Sequence, residues 1–364
     1  MARIFVTAGA SGGHIFPAIA TAQELQRRGH QVLFVLGGPK FAELVTAAEI
    51  PLAKLPAAPF NDRGWLGRGV ALAYLAWALV QALRLLAQQP PAVVFSAGGY
   101  GSAALVFAAK LRGIPVVLNE QNVLPGRANR LLARFASRML LTFEETRQYL
   151  PKLTAPLLTT GTPLRASLLA AANQPKPALP AGHFHLLVLG GSQGARILSE
   201  VVPEAVRHLT PAEQARFHLT QQVRTEDLAR VEAQYAGVKL ASLTLQPFFA
   251  DMPARYQAAS VLLGRSGTGT VLEAALFGLP AIYVPLELAD GHQKLNAAVA
   301  ERADAALVLP QAYFTPANLL VHLRALWQDE AKRRRMAQAA RSLSRPDAVK
   351  AVADVIEELM GERE

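Results

Sequence analysis

"FHLLVLGGSQGARIL", Phe184–Leu198, runs from an apolar strand through a glycine turn into the start of a helix. It repeats a design already used at "IFVTAGASGGHIFPA", Ile4–Ala18. The restart follows "NQPKPALPAGH", Asn173–His183, a Pro-rich stretch with little secondary-structure signal. A second correspondence keeps the same order. "SAGGYGSAALVFAAKLRGIPVVLNE" from Ser96 and "RSGTGTVLEAALFGLPAIYVPLE" from Arg265 share a glycine turn, a helix, a glycine and a Pro-led strand. Short apolar runs such as "RIFVT", "QVLFVL" and "AVVFS" alternate with helical segments, the rhythm of βα units on a parallel sheet. The expectation is an α/β protein built from two Rossmann-like domains that face a central cleft.

The 364 residues are enough for two domains with separate cores, and 51% hydrophobic content excludes a disordered chain. The absence of cysteine removes disulfides, thiolate nucleophiles and Cys-ligated metals, and suits a reducing compartment. "MARIF" leads straight into the first glycines, so no secretory signal is expected. A net charge of +10 implies an anionic partner. Nucleic acid is disfavoured, because no basic helix interleaved with aromatics and no zinc-finger spacing occurs.

Glycines between a strand and a helix leave backbone N–H groups aimed at an anion from the positive end of the helix. The opening turn is not a dinucleotide fingerprint, since Ser11 replaces its second glycine and the second strand ends "FVLGG" without an acidic residue. "GGSQGAR" lacks the Walker lysine, so a nucleoside triphosphatase is disfavoured as well. In "GRSGTGTVLEAALFGLP" the helix carries Glu273 in its second turn beside Ala274, Ala275 and Leu276. A carboxylate buried there would need a partner such as ribose hydroxyls, whereas an exposed one would need none. In "ELADGHQKLNA", Asp290, His292, Gln293 and Asn296 place polar groups at a strand end and suit a sugar. The first helix is expected to close at Arg27, Arg28 and Gly29, and Pro17 to fall in its first turn, where a missing N–H costs no helical bond.

Taken together, "GASGGHIFPA", "SAGGYGS", "NEQN", "TPLR", "GGSQGAR", "PFFADM", "RSGTGTVLEAALFGLPAIYVP" and "DGHQKLNA" resemble the MurG family. These are the peptidoglycan N-acetylglucosaminyltransferases that convert lipid I to lipid II. The resemblance runs from residue 2 to the last helix. It implies a GT-B fold with an N-terminal domain, residues 1–163 plus the C-terminal helix 345–364, that takes the lipid-linked acceptor. A C-terminal domain, residues 164–344, would bind UDP-GlcNAc. It places Ser11, Gly12 and Gly13 near the donor sugar, with Asn122 approaching from the same domain. Arg165 and Ser192 would contact the nucleotide and its diphosphate, and Phe249 would offer backbone contacts to uracil. The run Thr268, Gly269, Thr270, Val271, Leu272 and Glu273 would bind diphosphate and ribose, and Gln293 the sugar hydroxyls. Gly98, Gly99 and Tyr100 are assigned to the acceptor diphosphate. The chain departs from the family pattern at Thr162, commonly Asn, and in the alanine run after "GGYGS", where a proline is common. The same fold and donor would also serve a UDP-GlcNAc 2-epimerase or another lipid-linked sugar transferase.

"VALAYLAWALVQALRLL", Val70–Leu86, is apolar on nearly every helical face, though Gln81 and Arg84 interrupt it. It reads as a core helix, as a partly exposed patch with Arg63, Trp65, Arg68, Trp77 and Arg84 that rests on an anionic bilayer, or as both in part. The second reading puts the protein peripherally on the cytoplasmic side of the cell membrane. In the implied reaction the MurNAc C4 hydroxyl attacks the GlcNAc anomeric carbon with inversion, and UDP leaves. No DxD pair is present, so neither a metal nor another cofactor is expected; a helix N-terminus and Arg165 would carry the leaving charge. His14, with an ordinary pKa of about 6.5, is the candidate base and Glu120 the alternative. His14 could instead only orient the loop or the acceptor diphosphate.

Overall fold

The computed structural model describes residues 1–39, 41–56, 64–191, 194–287 and 291–362, and of residues 64–69 the backbone alone. The chain divides into two compact units, Met1–Arg165 with Arg345–Glu364, and Ala166–Ser344.

In the first unit the strands are β1 (Arg3–Ala8), β2 (Gln31–Gly37), β3 (Leu52–Leu55), β4 (Val93–Ser96), β5 (Val116–Glu120), β6 (Arg138–Leu141) and β7 (Leu157–Thr159). They form one parallel sheet in the order β3-β2-β1-β4-β5-β6-β7. Alternation along β1 sends Ile4, Val6 and Ala8 to one face and Phe5 to the other. The helix Gly12–Arg27 covers the first face with Ile15, Ala18 and Leu25, joined by Val352, Ile356 and Leu359 of the helix Ala348–Gly361. Full burial of each of the Ile, Leu and Val side chains contributes about 1.5–3 kcal/mol. Arg28 anchors the C-terminal helix through Asp354 and Glu357, both at 2.6 Å. The other face is covered by the helices Gly64–Gln88 and Ala103–Leu111.

The first helix ends as expected, with Gly29 at φ +88°, but Pro17 is its sixth residue rather than part of its first turn. Its missing N–H is the one that would have bonded the Gly13 carbonyl, so the proline does remove a helical bond.

The second unit holds β8 (Phe184–Leu189), β9 (Phe217–Gln222), β10 (Ser242–Gln246), β11 (Val261–Gly264), β12 (Ala281–Tyr283) and β13 (Ala306–Val308). This sheet is also parallel, in the order β10-β9-β8-β11-β12-β13. The strand order reverses between β1 and β4 in one sheet and between β8 and β11 in the other. Such switch points are where open parallel sheets take ligands, at the carboxyl ends of the strands. All four glycine turns paired by the sequence correspondences leave these four strands.

Candidate active site

At the switch point of the first unit two turns pack backbone against backbone. The Gly9 N–H donates to the Gly98 carbonyl at 2.7 Å. A Cβ on Gly9 would lie 2.8 Å from the Gly99 Cα, so no larger residue fits. Gly98 and Gly99 both sit at φ +86°, the left-handed region that favours glycine. Beside this platform stands half-buried His14, whose Nδ1 lies 2.6 Å from Ser11 Oγ. That contact explains why Ser11, at the N-cap position, makes no side-chain cap to the helix. The N–H groups of Gly12 and Gly13, in the first helical turn, have no acceptor within the helix.

Burial lowers the His14 pKa from 6.5 to about 4. This corrects the expectation of an ordinary imidazole: the ring is neutral at pH 7 and weakly basic. With Nδ1 on Ser11, Nε2 is the nitrogen that can take up a proton, which requires the tautomer in which Nδ1–H donates to the serine oxygen.

Glu120 occupies a position unlike that expected of an alternative base. It is buried, and its carboxylate accepts four hydrogen bonds. Oε1 takes the Asn122 N–H at 2.8 Å and Asn122 Nδ2 at 3.3 Å, and Oε2 takes Asn129 Nδ2 at 2.7 Å and the Gly126 N–H at 3.1 Å. Burial pushes its pKa up and these donors pull it back. Asn129 also accepts the Gly99 N–H at 3.3 Å, and its side chain fills the space a Cβ on Gly98 would take. Glu120 thus holds the 121–126 loop and, through Asn129, the glycine platform. Asn122 is half-buried beside it, and Tyr100 is largely exposed next to Gly99. Arg165, the last residue of the first unit, lies with its guanidinium 4.7 Å from the Phe16 ring centroid.

In the second unit the turn after β11 opens the helix Thr268–Leu276. The N–H groups of Gly269 and Thr270 lie in its first turn, ahead of any intrahelical acceptor, whereas that of Val271 is taken by the Gly267 carbonyl at 3.1 Å. Val271 and Leu272 are buried, and Val271 packs in the core. The side chains of Val271 and Leu272 thus face the interior, because a helix presents only one face to a ligand. Glu273 is half-exposed, not buried among its alanine neighbours.

Buried Asn296 donates to the Ser266 carbonyl at 3.3 Å and to Thr268 Oγ1 at 3.1 Å, so it braces this turn rather than meeting a sugar. Gln293, half-buried, uses Oε1 to accept the Leu286 N–H at 3.0 Å, while its backbone carbonyl accepts from Ser266 Oγ at 2.8 Å. The Phe249 side chain is in the core, leaving its backbone for a ligand. Ser192 and Asp290 lie outside the described residues.

Sequence reading missed Asn129, whose role depends on a loop folding back, and Arg265. Buried Arg265 donates to the Val284 carbonyl at 2.9 Å and to Gln311 Oε1 at 2.8 Å, fixing the β11 turn. It also missed Phe248, 73% exposed. Two adjacent aromatics leaving a strand point in opposite directions, which was the available signal.

Two doubly wound parallel sheets with paired glycine turns at their switch points make the GT-B architecture, and the family matches make the chain a glycosyltransferase of that fold. Residues 4–141 match the glycosyltransferase family 28 N-terminal domain, and residues 185–358 its C-terminal domain. The chain belongs to the MurG family. It is 42% identical over 357 residues, 98% of this chain and 96% of the relative, to the UDP-N-acetylglucosamine--N-acetylmuramyl-(pentapeptide) pyrophosphoryl-undecaprenol N-acetylglucosamine transferase of Methylobacterium sp. (strain 4-46). The crystal structure of Acinetobacter baumannii MurG is similar, with a TM-score of 0.78 and 28% identity over 98% of this chain and 100% of that one. A Neisseria meningitidis UDP-GlcNAc 2-epimerase shares the fold alone, with a TM-score of 0.71 at 13% identity over 98% of this chain and 100% of that one.

Proposed function

We propose that this protein moves GlcNAc from UDP-GlcNAc to the C4 hydroxyl of the MurNAc-pentapeptide of lipid I, with inversion, giving lipid II for peptidoglycan synthesis and so serving cell-wall growth, shape and division. The observation that carries the reading is the end-to-end likeness, at 42% identity, to a transferase of that name.

In the second unit the N–H groups of Gly269 and Thr270, at the positive end of a nine-residue helix, suit the donor diphosphate. Glu273, one turn further and half-exposed, suits ribose hydroxyls. The Leu286 contact fixes the Gln293 amide so that its NH2 is the end left to donate to the sugar. In the first unit the Gly12 and Gly13 N–H groups and the Gly98–Gly99 turn suit further anionic or hydroxyl oxygens.

During transfer the C4 oxygen bonds to the anomeric carbon, and the anomeric bond to phosphate breaks with its electron pair leaving on UDP. The C4 proton passes to His14 Nε2. A ring with a pKa of about 4 suffices if it takes the proton late. The attacking oxygen becomes strongly acidic as it bonds to an electron-poor carbon. Helix N-termini and Arg165 carry the leaving charge. Glu120 is a positioning residue in this scheme.

The acceptor is held by a lipid, and the first unit suits a membrane surface. The Val70–Gln88 segment is long and apolar enough to cross a membrane, yet only 22% of its most apolar window is buried. Both expectations hold in part: Ala82 and Leu86 pack in the core, whereas Val70, Leu72, Tyr74, Trp77 and Val80 are exposed. Arg63 lies outside the described residues, and Trp65 and Arg68 are described by backbone only. Exposed Leu111 and Leu131 add apolar surface among exposed Lys110, Arg112, Arg130 and Arg134. Residues 1–165 carry 17 Lys and Arg against 7 Asp and Glu. Peripheral docking on the anionic cytoplasmic face of the cell membrane fits this combination.

Incubation with labelled UDP-GlcNAc and a short-chain lipid I analogue tests the function. The expected product is the β-linked disaccharide lipid; release of a free epimer, or no transfer, refutes the reading.

A further inference from the structure

We infer that Gln222 is a positioning residue that sets the spacing between the two ends of the nucleotide site, by stapling the glycine loop after β8 to the segment after β10. Gln222 is the last residue of β9, the strand lying between β8 and β10. Its side chain reaches across the carboxyl ends of all three strands. Oε1 accepts the Gly190 N–H at 3.1 Å, and Nε2 donates to the Pro247 carbonyl at 3.2 Å. Both bonds are satisfied by a single orientation of the amide, which a carboxylate or an apolar side chain cannot reproduce.

Gly190 packs so close to Ala195 that a Cβ on it would lie 2.4 Å from the Ala195 N. Two residues after Gln222, Arg224 lays its stem over Gly194, at the end of the same loop, which is at φ +70°. Pro247 leads directly into Phe248 and Phe249. If the β8 loop meets a diphosphate and the Phe249 backbone meets a base, Gln222 fixes the distance between them without touching either. The inference rests on that donor reading.

The structure separates the arms chemically. Gln222→Met removes both bonds at similar length, whereas Gln222→Glu keeps an acceptor for Gly190 and loses the donor to Pro247. Calorimetric titration of the full chain with UDP and with uridine is the test, combined with amide hydrogen exchange. UDP spans both ends and uridine only one. Gln222→Met is expected to weaken UDP on the order of five- to tenfold and uridine less than twofold. Its Gly190 amide exchanges faster. In Gln222→Glu the Gly190 amide stays protected while the amides of residues 248–250 exchange faster, a readout that stands even if the Met variant does not fold.

Equal weakening of UDP and uridine, unchanged UDP affinity in a folded Met variant, or unchanged exchange at residues 248–250 in the Glu variant overturns the staple and leaves the donor reading intact. Wild-type protein that binds no UDP overturns the donor reading, and the inference with it.

Discussion

Glu120→Gln distinguishes a base from a brace. The wild-type carboxylate accepts from four N–H donors, two on each oxygen. A glutamine in the same place keeps one oxygen, which can serve two of them, and turns its NH2 on the other two. Each buried donor stranded in this way costs about 1–3 kcal/mol, and the two surviving bonds lose their charge assistance at about 1 kcal/mol each. Against this, the variant no longer buries a carboxylate whose desolvation raises its pKa. The net loss is about 2–4 kcal/mol, or a fall of about 5–15 °C in Tm for a unit of this size. Two of the three tryptophans, Trp65 and Trp77, lie in the first unit and Trp327 in the second. Fluorescence melting in a Trp327→Phe background therefore reports the transition that matters. A variant that melts at the wild-type temperature while its turnover falls a hundredfold would refute the brace and make Glu120 a base.

His14→Ala is expected to lower kcat by about 10²–10⁴ while UDP affinity, measured by calorimetry, changes less than twofold. Because the folded His14 pKa of about 4 lies below the unfolded 6.5, its contribution to stability is complete above pH 6.5 and lost as pH falls toward 4. Urea midpoints at pH 4.5, 5.5 and 7 should vary less in His14→Gln than in wild type. Some slope persists, because burial also lowers His185 to about 4. Gly9→Ala places a methyl 2.8 Å from the Gly99 Cα, a backbone atom that cannot swing aside, and should cost about 1–3 kcal/mol in denaturant titration with a parallel fall in turnover. In flotation with phosphatidylglycerol vesicles the wild type should co-float, and the pair Leu72→Glu with Trp77→Glu should reduce the bound fraction about tenfold; equal flotation of both proteins would remove this face from the membrane contact.

The two-sheet architecture was legible because its signals are local. Strand periodicity, glycine turns and the Pro-rich restart each occupy a few consecutive residues, and their repeated order names the fold. The turn geometry of Ser11, His14, Gly98 and Gly99 was legible for the same reason, since each belongs to a local glycine turn. The roles of Glu120, Asn129 and Gln222 were not. Glu120 and Asn129 are nine residues apart across a loop, and Gln222 joins strands whose neighbour relation is a matter of sheet order. Composition could not say which face of the Val70–Gln88 segment is covered, because a helix apolar all round carries no mark of its inner side.

Sequence by itself determined the class, the two-sheet plan and the glycine turns, because backbone conformation at glycine and side-chain periodicity are short-range properties. Tertiary structure alone decided that Glu120 is spent on four internal donors, that the Val271 and Leu272 side chains turn inward, that burial lowers the His14 pKa and that an apolar helix keeps one face exposed. Each of these depends on which groups remote in the chain remove water from a side chain, and desolvation is not written in local order.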